Sequence, residues 1–168
     1  PLAWWMDLTG TTSALLYAQA ACIAASAFPL AALARRAALG PLATLGLCAA
    51  LLFSVGTQSA ASFDVHEIIP VPLCLLLALW AVERERRLVM YLALVVLIGT
   101  KESAILYGAA FGVFLALFRP CHRVEGLAIA LACVAWFYVV TTIIQPALLE
   151  PGARMIHVLR FRAFGAGT

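Results

Sequence analysis

The chain of 168 residues is 65% hydrophobic and only 11% charged, and its mean hydropathy is +1.04. Soluble domains average about 45–50% apolar and about 25% charged residues, so the composition excludes an ordinary globular domain and predicts an integral protein of the lipid bilayer. The formal net charge of +3 comes from short basic clusters between apolar runs. This pattern is typical of topology signals and excludes a nucleic-acid-binding surface.

Six apolar runs predict an all-α fold, a polytopic transmembrane helix bundle with about six helices. Residues 1–168 would form a single transmembrane domain in which 145–168 begin an exoplasmic segment. The predicted helices are about 11–34, 39–57, 68–82, 88–100, 103–118 and 124–144. Gly108 and Gly112 form a GxxxG pattern, which lets another backbone approach closely. Because the chain starts at Pro1 without an initiator Met or a signal-peptide pattern, we expect an internal fragment of a longer protein.

The basic residues predict the orientation of the bundle in the cell membrane. Alternating spans bring most arginines to one side, which we assign to the cytoplasm because Lys and Arg in short loops mark that side. These residues are Arg35, Arg36, Arg84, Arg86, Arg87, Arg119 and Arg123. On this side we interpret Glu83–Arg87 as a solvated charge run and His122 as a headgroup-facing residue. The segment Asp64–Glu67 and the pair Lys101-Glu102 then lie on the exoplasmic side of a multi-pass protein.

The third, fourth and fifth spans are short for a bilayer. A helix that crosses the hydrocarbon needs about 20 residues, at about 1.5 Å each. If the arginines mark one interface, the other ends of these spans stop below the exoplasmic surface. Charged, non-helical backbone at that depth is tolerated only where it is buried in protein or lines a watery cavity. We therefore predict a recess on the exoplasmic face.

Asp64, His66 and Glu67 place three ionisable groups within four residues. Such groups are costly near a bilayer and suggest a functional site. Asp64 and His66 are candidate catalytic residues, and candidate ligands of a divalent metal ion if further ligands come from elsewhere. Glu67 is a candidate substrate-binding residue. The alternative is a wet loop in which Asp64 or Glu67 caps the third helix, a role that does not need the histidine.

Lys101 and Glu102 lie between the fourth and fifth spans. Lys101 is a candidate phosphate-binding residue, with Glu102 orienting the lysine or acting as a catalytic base. The alternative is a hairpin tip at which the two charges satisfy one another in solvent. No Gly, Pro or Asn separates the two predicted spans, and this argues against an ordinary exposed loop.

The C-terminal segment contains a group of basic residues, Arg154, His157, Arg160 and Arg162. These side chains could form an anion site for a lipid-linked phosphate, with Arg154 and Arg160 as candidate substrate-binding residues. They could equally be a juxtamembrane basic segment.

Several of these features follow one another in an order that is typical of one family of membrane proteins. Phe63–Glu67 precedes a Pro-containing apolar span and an arginine-rich loop, and the next span ends at Lys101-Glu102-Ser103. The later positions in the same order are Gly112, Arg119–Arg123, Trp136-Phe137 and Ile144-Gln145-Pro146. In this order the chain resembles the polytopic bacterial and archaeal membrane proteins catalogued as domain of unknown function 2079. The resemblance covers roughly 63–168 and, more loosely, the first two spans.

Two departures from the pattern of that family rank the candidate residues. The family usually has phenylalanine-histidine-proline where this chain has Val65-His66-Glu67. It usually has lysine-glutamate-aspartate where this chain has Lys101-Glu102-Ser103. The resemblance therefore favours His66, Lys101 and Glu102 as functional residues over Glu67 and Ser103.

The family is similar to the GT-C glycosyltransferases, which take sugars from polyprenyl-phosphate carriers on the exoplasmic side. The resemblance implies a glycosyltransferase-like protein with a polyprenyl-phosphate sugar donor as its partner. In GT-C enzymes an acidic residue of the first exoplasmic loop typically serves as the catalytic base, and that loop would precede Pro1. Two alternatives stay open: a transporter or permease for an anionic solute, and a structural membrane protein without chemistry.

Overall fold

The computed structural model describes residues 12–62 and 69–148, with side chains described over 16–58 and 69–148. Every regular element in these ranges is a helix, so the predicted all-α fold is confirmed. Two helical stretches in them, Leu16–Arg36 and Pro120–Leu148, are long and apolar enough to cross a membrane. The other apolar helices are shorter, and together they form a helical membrane bundle.

The N-terminal part of the bundle consists of three helices. They are α1 (Thr12–Arg36), α2 (Pro41–Leu52) and α3 (Val55–Ser62). α2 begins with a proline, whose missing N–H and fixed φ suit the first turn of a helix. The sequence predicted one span over 39–57, whereas the structure divides this stretch between α2 and α3.

Polar side chains explain the break between α2 and α3. The backbone N–H of Thr57 donates to Ser54 Oγ at 3.3 Å, so Ser54 caps the first turn of α3. The Thr57 hydroxyl donates to the Leu51 carbonyl at 2.9 Å, and the Gln58 amide donates to the Leu52 carbonyl at 2.8 Å. These bonds satisfy carbonyl groups that a helix end would otherwise leave without partners in an apolar environment.

The central part of the bundle contains the largest cluster of buried side chains. Its helices are α4 (Pro70–Glu83), α5 (Arg87–Ile98) and α6 (Ala104–Phe118). Met90, Leu97 and Leu115 are fully buried in this cluster. α4 also packs on α1, so the core connects the N-terminal helices to the rest of the bundle.

A 3-10 turn (Pro120–His122) leads into α7 (Arg123–Val139). A π-helical turn (Val140–Ile144) and α8 (Gln145–Leu148) follow without a break. Pro146 lacks an N–H and its ring crowds the carbonyl four residues earlier, so a regular α-helix is disfavoured there. The wider π turn accommodates the proline, and the helical path does not end at residue 144.

α6 and α7 make the most extensive helix–helix contact in the described ranges. A Cβ atom added to Gly112 would lie 2.6 Å from the Gly126 carbonyl oxygen, and one added to Gly126 would lie 2.6 Å from the Gly112 carbonyl oxygen. The two backbones are therefore in direct contact. A Cβ atom on Gly108 would lie 3.0 Å from the Cys133 sulfur. The close approach predicted from the GxxxG pattern is confirmed, and the partner is α7.

Candidate functional site at the face opposite the arginines

Ion pairs bring three helix ends together at the arginine-rich face. The Glu83 carboxylate at the end of α4 accepts a hydrogen bond from Arg36 Nε at 2.9 Å and another from the Arg119 guanidinium. Arg36 ends α1 and Arg119 directly follows α6. The Glu83 side chain is only 19% exposed, so it is not the solvated charge that the sequence predicted.

Glu125 connects α5 to α7 at the same face. One carboxylate oxygen accepts a hydrogen bond from the Tyr91 hydroxyl, and the other lies 2.6 Å from His122 Nδ1. The His122 side chain is 14% exposed and is paired with Glu125, whereas the sequence predicted a headgroup-facing residue. The spacing of three residues between His122 and Glu125 on consecutive helical turns is the signal that could have identified this pair.

Helices that are level at the arginine-rich face differ strongly in length. α4, α5 and α6 have 14, 12 and 15 residues, which corresponds to about 18–22 Å. α1 has 25 residues, and α7 continues through the π turn and α8, so each of these stretches reaches about 37 Å. The hydrocarbon core is about 30 Å thick. The difference falls at the opposite face, where the long helices extend about 15 Å beyond the ends of the short ones.

The link between α5 and α6 lies at the ends of these short helices, on the face opposite the arginines. α5 ends at Ile98, two residues before the predicted end, and Gly99 is its C-cap. The link therefore contains a glycine, and the argument that no turn residue separates the two spans was wrong. The helix ends early because its last turn tightens: the Thr100 N–H donates to the Leu97 carbonyl, three residues earlier, at 3.2 Å.

Lys101 and Glu102 are adjacent in a tight turn of this link. The Lys101 carbonyl accepts a hydrogen bond from the Ala104 N–H at 2.9 Å, and the Glu102 carbonyl accepts one from the Ile105 N–H at 3.3 Å. These bonds join the turn to the first turn of α6. Both side chains are partly buried, so the pair is not a fully exposed hairpin tip.

A cavity of about 540 Å³ follows α4. It lies between α1, the break between α2 and α3, α4, and the first turn of α6. The α4 wall extends from Ile69 to Leu79, a length of about 15 Å. Most lining side chains are aliphatic, and the polar lining groups are the hydroxyls of Ser26, Thr57 and Tyr107. An elongated, apolar cavity of this kind suits a hydrocarbon chain better than a polar solute.

Two polar residues of this region were not singled out from the sequence. Tyr107 lines the cavity from the first turn of α6, which begins three residues after Lys101. Gln19 lies on α1 and is only 6% exposed. The signal for Gln19 was available, because an amide within an apolar membrane helix usually bonds to another part of the protein. Tyr107 gave no such signal, since aromatic residues are common at membrane interfaces.

The other candidate site residues lie outside the described residues. They are Asp64, His66, Glu67, Arg154 and Arg160. The metal-binding hypothesis for Asp64 and His66 therefore stays a prediction. Within residues 12–62 and 69–148, no group of three or more His, Cys, Asp or Glu side chains is arranged to hold a metal ion.

Comparison with known proteins places the chain in a family. No curated protein and no solved structure matches it. The family model described as a predicted membrane protein, DUF2079, matches residues 1–168. This match includes the first two spans, which carried the looser part of the sequence resemblance. The chain therefore belongs to the DUF2079 family of predicted membrane proteins.

Proposed function

We propose that the protein is a membrane glycosyltransferase of the GT-C type, which moves a sugar from a polyprenyl-phosphate carrier to an acceptor on the exoplasmic face. The observation that carries this proposal is an apolar cavity lined by Tyr107, which belongs to the helix turn that directly follows the Lys101-Glu102 turn. A cation and an apolar channel are what the two parts of a polyprenyl phosphate require. The lysine would bind the phosphate, and the cavity along α4 would hold the isoprenoid chain.

The distribution of charge supports this assignment. Among the residues that the structure describes, Lys101 is the basic residue at its face, because every described arginine lies at the other end of the helices. The arginine-rich face is proposed to be cytoplasmic, since Lys and Arg in short loops are retained there. A lipid-linked phosphate at the exoplasmic face would then meet Lys101, and charge-assisted hydrogen bonds to phosphate are among the stronger polar contacts.

The proposed reaction is a substitution at the anomeric carbon of the sugar. A carboxylate takes the proton of the acceptor hydroxyl while that oxygen forms a bond to the anomeric carbon. The bond between this carbon and the phosphate oxygen breaks, and the electron pair leaves with the polyprenyl phosphate. The Lys101 ammonium stabilises the negative charge that develops on the leaving phosphate. In this scheme Glu102 orients Lys101 or accepts the proton.

The remaining candidates complete the proposed site. Asp64 and His66 would bind the acceptor or a divalent metal ion, and such an ion would supply further charge stabilisation at the phosphate. Glu67, Arg154 and Arg160 would contact substrate.

The first test is lipid-phosphate binding by the full-length protein in nanodiscs, with a photoreactive undecaprenyl phosphate as the probe. The variants are Lys101→Ala and, as a matched control that keeps the charge, Lys101→Arg. A second control is Arg84→Ala, which removes an exposed cation from the other face. We expect Lys101→Ala to lower labelling about tenfold, the scale of one charge-assisted hydrogen bond, while Lys101→Arg and Arg84→Ala retain most of it.

Transfer is then measured with polyprenyl-phosphate-linked sugars supplied as a panel. Lys101→Ala is expected to abolish transfer while leaving expression and the elution profile intact. Equal labelling and equal turnover of wild type and Lys101→Ala would remove Lys101 from the site. Normal labelling by every variant combined with no transfer of any sugar would favour a lipid-binding protein without glycosyltransferase activity.

A further inference from the structure

A second cavity, of about 700 Å³, lies between α5 and α7 at the arginine-rich end of the bundle. It exists because α5 and α7 each pack on α6, which leaves an open groove between them. It lies at the face opposite Lys101, and the proposed glycosyl transfer makes no use of it. Its lining changes from charged to apolar along its length.

Two guanidinium groups mark the charged end of the groove. Arg87 is the first residue of α5 and Arg123 is the first residue of α7, and both side chains are exposed. The ion pairs at this face use Arg36 and Arg119 instead. Within the described residues, neither Arg87 nor Arg123 lies within ion-pair distance of a carboxylate. Arg87 interacts electrostatically with the Glu125 carboxylate without forming an ion pair, so both guanidinium groups keep hydrogen-bond donors for a bound anion.

Glu125 is the acidic group of the groove, and its carboxylate already has partners. It accepts a hydrogen bond from the Tyr91 hydroxyl, and its other oxygen lies 2.6 Å from His122 Nδ1. Tyr91 also lines the groove. Two arginines against one hydrogen-bonded carboxylate leave the charged end with net positive charge at neutral pH.

The rest of the groove is apolar. On α5 the lining continues through Leu94 and Val95 to Ile98, and on α7 it continues through Ile129 to Cys133. The distance from Arg87 to Ile98 along the helix is about 16 Å. A cationic end at the level of the basic loops, followed by an apolar wall that points into the bilayer, matches a phospholipid with its head at the arginines and an acyl chain along α5.

We infer that this groove binds an anionic phospholipid from the leaflet at the arginine-rich face. Charge complementarity selects the lipid: basic pockets between membrane helices on the positively charged side of a protein bind anionic headgroups. A zwitterionic lipid offers its phosphate together with a cationic group, which the two guanidinium groups disfavour. The Tyr91 hydroxyl and Glu125 fix the spacing of α5 and α7 at the mouth, so the site is formed before the lipid enters.

The test uses the full-length protein, delipidated in detergent, with native mass spectrometry to count bound lipid. Phosphatidylglycerol and phosphatidylcholine of equal chain length are titrated separately. The variant is R87Q/R123Q, and the matched control is R35Q/R84Q, which removes two exposed arginines of the same face that do not line the groove. Each arginine near an anionic headgroup contributes about fivefold in affinity, so the loss expected for R87Q/R123Q is about 25-fold.

Four outcomes would overturn the proposal. Retained phosphatidylglycerol affinity in R87Q/R123Q would overturn it, as would an equal loss in R35Q/R84Q, because the effect would then come from the whole basic face. Inorganic phosphate that displaces the lipid at millimolar concentration would show a simple anion site and overturn the lipid assignment. Ala132 lines the groove. No phosphatidylglycerol binding by the wild type, with the thiol of an A132C variant protected from modification, would also overturn the proposal, because another segment of the protein would then fill the groove.

Discussion

The helices of the α6–α7 pair pack closely, whereas those on the α1–α4 side of the bundle leave open space. At α6–α7 the glycines bring two backbones into contact, so a single added methyl group would meet Gly126 or Ala130 backbone atoms at 2.6 Å. At the α1–α4 side the helices leave a cavity of about 540 Å³. The first region holds the bundle together, and the second provides space. The comparison teaches that close backbone packing and open space occur at different helix pairs of the bundle.

The largest expected effect is a methyl group placed between α6 and α7. Gly112→Ala should destabilise the protein by about 2–3 kcal/mol, because the clashing atoms belong to the backbone and cannot rotate away. The measurement is the midpoint of thermal unfolding in detergent, followed by size-exclusion chromatography. An unchanged midpoint would show that the two helices are further apart than the structure has them.

A smaller loss is expected where the two regions are connected at the arginine-rich face. Glu83→Gln should cost about 1 kcal/mol, since it weakens the bonds to Arg36 and Arg119 while both guanidinium groups remain substantially solvated. The matched control is Glu85→Gln, which removes an exposed acid of the same loop and should leave the unfolding midpoint unchanged. Equal midpoints for the two variants would mean that Glu83 does not hold the helix ends together.

On the α1–α4 side, a glycine-to-alanine substitution should raise the free energy of unfolding, whereas the same substitution in α6 lowers it. A Cβ atom on Gly46 of α2 would meet nothing within 4 Å. Gly46→Ala should therefore stabilise the protein by about 0.5–1 kcal/mol, because alanine loses less backbone entropy in a helix. Comparison of its unfolding midpoint with that of Gly112→Ala gives the sharpest contrast between the regions, and a loss of stability at both positions would contradict it.

The smallest expected change in stability comes from filling the cavity itself. Leu76 lines the cavity from α4, and Leu76→Trp places a larger side chain where space exists. We expect the free energy of unfolding to change by less than about 0.5 kcal/mol, while labelling by photoreactive undecaprenyl phosphate falls. Unimpaired labelling would show that the lipid chain takes another path.

The sequence predicted the helices better than their ends. Apolar runs were sufficient for the all-α class, and the spacing of Gly108 and Gly112 was sufficient for the close helix contact. They were not sufficient for the break at Ser54 or for the continuation past Pro146. The break depends on the hydroxyl bonds of Ser54 and Thr57, and the continuation depends on the π turn before Pro146. Local composition encodes neither.

Some features of the candidate site could be predicted from the sequence, and others could not. Lys101 and Glu102 were found because isolated charges in an apolar sequence are conspicuous. The apolar cavity was not found, since aliphatic side chains look alike whether they line a channel or face lipid. The bonds of Glu83 to Arg36 and Arg119, and of Glu125 to Tyr91, were missed because these partners are distant in sequence. The His122–Glu125 pair is local, and its spacing of three residues could have identified it. Asp64, His66 and Glu67 stay predictions from the sequence.

The shared carboxylate at the arginine-rich face also has a consequence for biosynthesis. Arg36 precedes Glu83 by 47 residues, and Arg119 follows it by 36. The first ion pair can therefore form while α6 is still being translated, and the second forms only after α6 has been inserted. We expect cysteine cross-linking of arrested nascent chains to detect α1 beside α4 before α6 emerges from the ribosome. Absence of that cross-link until the chain is complete would indicate that the helices dock in a single late step.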